Sequence, residues 1–413
     1  MALRLNTGDS TSFYRQSTNC DGEHERLYSQ VARASDSGIR PSLSLFANQN
    51  PDFGVFLRLK LSFMSTNPTM RGVVLPGNRQ LEIRDYPIPA PSYSQVVLQM
   101  KASSLCGSDL RAIYRPTDQG HGPEAYRGVI AGHEPCGVVH SVGEGVSRFK
   151  EGDRVVAYHI SGCGVCEECR RGWMINCLDL PKRKAYGWQR DGGHAPFMLA
   201  DERTLVQLPD ELTFLDGAMV ACGLGTAYAA TKRAQVSGND RVLITGLGPV
   251  GLGAALLCRA LGAQVVGVEA MPDRAQFAAK LGFKDVVPPG EGALDALLQL
   301  SNGKGFEVTI DCSGNAGARH LCLEAARDWG RVVYIGEGGT VSFEPSPLLL
   351  HKQLTLHGSW VCSIGQMEEL VEHLVRWNLH PEQLVTNTFS LEQAKEAYET
   401  FDAGSPGKVA IVF

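Results

Sequence analysis

Apolar residues fall in short runs along most of the chain, and the spacing of those runs changes twice. Up to residue 69 there is no sustained period of two or 3.6, and only Val55–Leu61 alternates, weakly and briefly. From Arg71 onward, short apolar strings predict strands at 72–75, 95–100, 129–130, 137–142 and 153–156. Turns are expected at Pro76-Gly77 and in the Pro87–Pro91 run. From residue 241 the strands begin to alternate with helix-length segments. Strand 241–245 precedes a helix through Leu261, strand 265–268 precedes one through Leu281, and 308–310 and 332–335 add further strands. That alternation predicts an α/β fold with a parallel, doubly wound sheet. A helix near 366–377, another near 391–400 and a strand at 409–412 form a return.

The first 69 residues are rich in Ser, Asn, Gln and Arg and read as a disordered extension, or as a stretch the mature protein lacks. Their acidic residues (Asp9, Asp21, Glu23, Glu25, Asp36, Asp52) argue against an organelle transit peptide. Met64 and Met70 both stand where ordered sequence begins and offer later starts.

At 413 residues, 43% hydrophobic and 20% charged, the chain is expected to form two globular domains. The net charge of −5 comes without any basic block, so nucleic acid is not an expected partner. No run of about 20 apolar residues is present to span a bilayer, and the first residues lack the charged start, apolar centre and small-residue cleavage site expected of a secretory signal. Twelve cysteines in so long a chain do not suggest a secreted disulfide framework; a reducing, cytoplasmic setting is expected.

Gly246-Leu247-Gly248-Pro249-Val250-Gly251 follows a predicted strand and opens a predicted helix. Glycines so placed allow a tight turn and close backbone approach to a pyrophosphate, held at the helix N-terminus. Glu269, where the next strand ends, is placed to accept hydrogen bonds from the adenosine ribose. A carboxylate there repels a 2′-phosphate, so NAD is expected over NADP; Arg274 is the one nearby cation that could hold such a phosphate.

Cys163, Cys166, Cys169 and Cys177 crowd one loop, and four thiolates close a tetrahedral shell around a structural zinc. A catalytic zinc needs about three protein ligands and an open position. Cys106, His133 and Cys222 are candidates, but spacing alone cannot join positions so far apart.

From Met70 to Phe413 the chain resembles the zinc-containing medium-chain dehydrogenase family of alcohol, sorbitol and threonine dehydrogenases. The pieces that carry the resemblance are Cys106-Gly107-Ser108-Asp109, Gly132-His133-Glu134, Gly152-Asp153-Arg154-Val155, the four-cysteine loop, Gly192-Gly193-His194-Ala195 with His in an aromatic position, Gly248-Pro249-Val250-Gly251 and Gly407-Lys408-Val409. The resemblance implies a GroES-like β-rich catalytic domain over 70–220, with its zinc lobe at 163–177. That domain is completed by 355–413, and a Rossmann NAD-binding domain occupies 221–354. It implies Cys106, His133 and Cys222 as catalytic-zinc ligands, Glu134 as a nearby or transient ligand, and Thr226 as a nicotinamide neighbour. Homodimers or homotetramers assembled through the cofactor domain are also implied.

The activity so implied is hydride transfer between an alcohol or ketone and NAD, with Ser108 bonding the substrate oxygen and passing its proton outward. The Cys-Gly-Ser-Asp and Gly-His-Glu signatures resemble polyol and threonine dehydrogenases, so a secondary alcohol such as a polyol is expected. Where many relatives carry a relay histidine, this chain has Arg111, which cannot relay a proton at neutral pH. Exit through ribose and water, or through His159, stays open, as does an anion-binding role for Arg111. Two alternatives remain: a zinc-free carbonyl or enone reductase of the same superfamily, and a zinc- and NAD-binding protein without turnover.

Overall fold

A computed structural model describes residues 68–413 and a two-residue strand pair, Pro41–Ser42 with Ser62–Phe63. The expected extension at 1–69 lies almost wholly outside the described residues.

The hairpin of β1 (Thr69–Gly77) and β2 (Gln80–Pro87) turns at Asn78 and Arg79, whose φ angles are 52° and 56°. Two left-handed residues match the right-handed twist of the strands they join. Pro76-Gly77 therefore sits inside β1, at a register shift, and is not the turn its sequence suggested. Nor does 129–130 form a strand. The Ile130 N–H is held by Asp191 at 2.9 Å and its carbonyl by the Gly192 N–H at 2.8 Å, which pins the segment as a loop.

The first sheet is built around β3 (Gln95–Ser104), buried on both faces along most of its length. β4 (Glu134–Val142), β6 (Phe197–Asp201) and β15 (Lys408–Val412) all pair antiparallel with it. Beyond β4 lie β5 (Arg154–Ala157) and β7 (Leu205–Gln207); beyond β15 lies β14 (Val385–Phe389). A strand late in the chain thus occupies an interior place in the first sheet.

The second sheet is parallel throughout. β8 (Arg241–Thr245), β9 (Gln264–Val268), β10 (Val286–Val287), β11 (Phe306–Asp311), β12 (Ala326–Tyr334) and β13 (Thr355–Gly358) lie in the order β10-β9-β8-β11-β12-β13. The winding reverses between β8 and β11, which opens a crevice at their carboxyl ends. The sixth strand falls just past residue 354, so the Rossmann sheet reaches into the 355–413 segment. Among the described residues no helix is long and apolar enough to cross a membrane.

Candidate active site

At the end of β3 the chain turns through Cys106 into the short helical segment Gly107–Asp109 and a π turn, Leu110–Tyr114. His133 immediately precedes β4, and Glu134 is its first residue. Cys222 lies in a second π turn, Val220–Leu224, that joins α1 (Phe214–Met219) to α2 (Gly225–Arg233). Single-turn π segments of this kind recur at functional sites, because they re-aim one side chain. The donor atoms of Cys106, His133, Glu134 and Cys222 all lie within 4.8 Å of one another. With metal bonds of about 2.0–2.3 Å, that spacing suits a single zinc ion.

Asp109 was quoted from sequence only as part of a motif, yet it organises this cluster. Its carboxylate lies 2.7 Å from His133 Nδ1, accepts from the Cys106 N–H at 3.1 Å and from the Trp188 indole N–H at 3.3 Å. The bond to Nδ1 turns His133 Nε2 toward the thiols, with Ser108 Oγ 3.5 Å away. Burial works against a charge on His133, but Asp109 and Cys106 outweigh it and its pKa is raised well above the ordinary value. The hydrogen bond from Cys222, with His133 and Lys408 nearby, holds the Cys106 thiol well below its usual range. The same bond, with burial, pushes Cys222 well up.

Lys408 was likewise noticed only as part of a motif. Its ammonium lies 2.5 Å from the Glu134 carboxylate, which also accepts from the Ser104 hydroxyl and from the Gly223 N–H at 3.1 Å. Burial pushes the Glu134 pKa up while Lys408 pulls it back; burial would lower Lys408, but Glu134 wins and raises it.

Two further histidines stand near. His159 packs against His133, with 5.3 Å between ring centroids, and burial lowers its pKa to about 4. His194 is fully buried, edge-on to Tyr398, and among the described residues neither of its ring nitrogens has a partner. Burial, aided by His133 and opposed by Asp109, lowers its pKa from 6.5 to about 4. As pH falls through 6.5 the unfolded chain therefore takes up a proton that the folded chain refuses until about 4. Stability is lost progressively as pH falls through that window, by about 3 kcal/mol in all. His194→Phe removes both unpartnered atoms and the titration. It is expected to gain about 1–3 kcal/mol near neutral pH, and the gain should widen toward about pH 5. Urea unfolding of both proteins across that range measures it; a constant or negative difference would contradict this account.

The four-cysteine loop forms a separate cluster, its sulfurs also within 4.8 Å of one another. Cys163 and Cys169 are 3.9 Å apart and Cys166 and Cys177 4.0 Å, close to the edge of a zinc–thiolate tetrahedron, about 3.8 Å for 2.3 Å bonds. Backbone N–H groups of Cys169 and Leu178 bring the Cys166 thiol down to about 6, whereas burial raises Cys169 to about 12.

At the dinucleotide crevice, Gly246 follows β8 with φ +84°, and Gly251 packs so close that a Cβ would lie 1.9 Å from the Gly246 carbonyl. Gly248 caps α3 (Pro249–Ala260) and faces open space, with only Arg274 nearby. Glu269, just past β9, accepts from the Leu247 N–H at 2.7 Å and the Met271 N–H at 2.9 Å. A single cavity of about 560 Å³ joins the two regions; Cys106, Ser108, His133, Cys222, Thr226 and Gly248–Gly251 all line it. Arg111, also on its wall, donates to the Glu337 carbonyl at 3.1 Å and ion-pairs with the Glu337 carboxylate.

Residues 92–210 match the alcohol dehydrogenase GroES-like domain family, and residues 249–376 match the zinc-binding dehydrogenase family. Over 351 residues the chain is 48% identical to an uncharacterized zinc-type alcohol dehydrogenase-like protein, YphC, of Escherichia coli (strain K12), covering 84% of this chain and 99% of that one. The chain belongs to the zinc-containing medium-chain dehydrogenase family. It is 30% identical over 353 residues to a probable D-xylulose reductase A of Arthroderma otae (strain ATCC MYA-4605 / CBS 113480), covering 83% of this chain and 97% of that one. The solved alcohol dehydrogenase TADH from Thermus sp. ATN1 superposes with a TM-score of 0.73 at 28% identity, covering 83% of this chain and 99% of that structure. For a medium-chain dehydrogenase the cofactors are zinc and NAD(P), and both clusters of donors and the glycine crevice fit them. It is an oxidoreductase fold with a GroES-like and a Rossmann part, as the sequence implied.

Proposed function

We propose that this dehydrogenase transfers a hydride between a secondary alcohol, such as a polyol, and NAD, with Cys106, His133 and Cys222 as ligands of a catalytic zinc. The observation that carries the reading is the convergence of these donors, from three separate segments, on the cavity that also receives Ser108 and the glycine loop. A zinc ion held there supplies Lewis-acid polarisation, which lowers the pKa of a bound water from 15.7 to about 7 and acts on an alcohol in the same sense. The nicotinamide supplies the hydride acceptor.

The chain's own groups do the rest. Asp109 fixes the tautomer and aim of His133. Ser108 Oγ, 3.5 Å from His133 Nε2, bonds the substrate hydroxyl and takes over its proton. A relay through His159 meets a dead end, because its Nδ1 is spent on the Ala221 carbonyl, which cannot accept a proton in turn. Arg111 is tied to Glu337. Both facts favour exit from Ser108 to water in the cavity. Cys163, Cys166, Cys169 and Cys177 hold a structural zinc and keep their lobe folded.

Glu269 supports NAD over NADP, because a 2′-phosphate would lie against a carboxylate already committed to the Leu247 N–H. The exposed Leu356 on β13 and Trp360 just after it support pairing of two copies along that edge; light scattering of the full chain should give a dimer or tetramer, and a monomer would contradict it. The deciding experiment follows reduced-cofactor formation by the zinc-loaded full chain with NAD or NADP, across polyols, other secondary alcohols, primary alcohols and threonine. NAD-preferring turnover on secondary alcohols is expected, and Glu269→Ser should shift the NAD/NADP ratio toward NADP by about tenfold or more. Silence across the panel with both cofactors bound would overturn the proposal.

A further inference from the structure

His159 lies just past β5, its ring flanked by Tyr158 and His133 at centroid distances of 5.6 and 5.3 Å. Its Nδ1 is 2.8 Å from the Ala221 carbonyl oxygen. A carbonyl can only accept, so Nδ1 carries the ring's hydrogen and Nε2 keeps the lone pair. Among the described residues the ring's one hydrogen bond is the one at Nδ1, and His159 lines the cavity beside His133, so Nε2 is left to the cavity. The neighbouring polar groups on this wall are already committed. The Trp188 N–H donates to Asp109, and the Gln189 amide accepts from the Ala185 N–H and donates to the Glu124 and Ala125 carbonyls. The result is one oriented acceptor, fixed in direction, next to the place where the reacting hydroxyl sits.

We infer that His159 is a specificity-determining residue that accepts a hydrogen bond from a second substrate hydroxyl, on the carbon next to the reacting one, so that vicinal diols are preferred to matched monoalcohols. The inference rests on the oxidoreductase reading above and narrows its substrate class. A monoalcohol leaves the acceptor facing apolar substrate, whereas a diol satisfies it. Sites built to bond a hydroxyl discriminate strongly against analogues that lack one.

The test compares butane-2,3-diol with butan-2-ol in the full-length zinc enzyme and in two variants chosen for what their amides imitate. His159→Asn places an amide near Nδ1, keeps a donor for Ala221 and deletes the acceptor at Nε2. His159→Gln carries an amide oxygen out toward the Nε2 position. In His159→Asn the diol-to-monoalcohol ratio of kcat/KM should fall at least about tenfold, chiefly through the KM of the diol. His159→Gln should restore part of the ratio. An unchanged ratio in His159→Asn, or an equal loss on both alcohols, would overturn the inference. Turnover of neither alcohol by the unmodified protein would instead count against the oxidoreductase reading, and calorimetry of the same two alcohols then decides about His159. Tighter diol binding that is lost in His159→Asn sustains the inference, and equal binding in all three proteins overturns it.

Discussion

Cys106→Ala is expected to lower kcat/KM on any alcohol substrate by at least about a thousandfold while leaving the protein folded. The thiol stands with His133, Glu134 and Cys222 in one cluster of donors, and its loss leaves two of the three ligands assigned to the catalytic zinc. Without that ion the charge that develops on the substrate oxygen loses its Lewis-acid partner; Ser108 is neutral, and Arg111 is paired with Glu337. Metal analysis gives the second readout. Zinc content should drop from two ions per chain to one, the ion of the four-cysteine lobe being retained. A Cys106→Ala protein that keeps both ions and its turnover would remove the catalytic assignment altogether.

How much of this could be read from the amino acids depended on how local each feature is. The glycine loop and the four-cysteine lobe are contiguous, so their spacing already encodes their geometry. Cys106, His133 and Cys222 belong to three distant segments, and only a family resemblance could bring them together. Asp109 stood inside a quoted motif without a role, because its role consists of contacts with His133 and Trp188 made in three dimensions. The tautomer of His159 is set by a backbone carbonyl, a partner with no sequence signature at all. Pro76-Gly77 misled for a related reason: its composition suits a turn, but the two-residue hairpin took Asn78 and Arg79, whose carbonyl partners on Tyr114 and Pro116 lie far along the chain.

The second large effect concerns stability. Lys408→Met is expected to cost about 3–5 kcal/mol, because it strands the Glu134 carboxylate in the interior. The Glu134 side chain is 0% exposed and that of Lys408 1%, so water cannot replace the lost partner. The Ser104 hydroxyl and the Gly223 N–H still bond the carboxylate, but neither carries a charge. The double variant Glu134→Gln, Lys408→Met should recover much of the loss, since removing both members of a buried pair is far cheaper than removing one. Denaturant unfolding of the two variants beside the wild type measures the difference. A single variant as stable as the wild type would show that the pair is not the buried contact described above.

Lys408 also begins β15, the late strand that lies between β3 and β14 in the first sheet. During synthesis, β3 emerges some three hundred residues before that neighbour exists. Until then the growing chain carries an open strand edge at Ala102–Ser104 and a carboxylate without its counter-ion, a state that invites pairing with other chains. The catalytic half therefore cannot close until Lys408–Val412 have left the exit tunnel, and the demand for chaperone protection should be greatest just before they do.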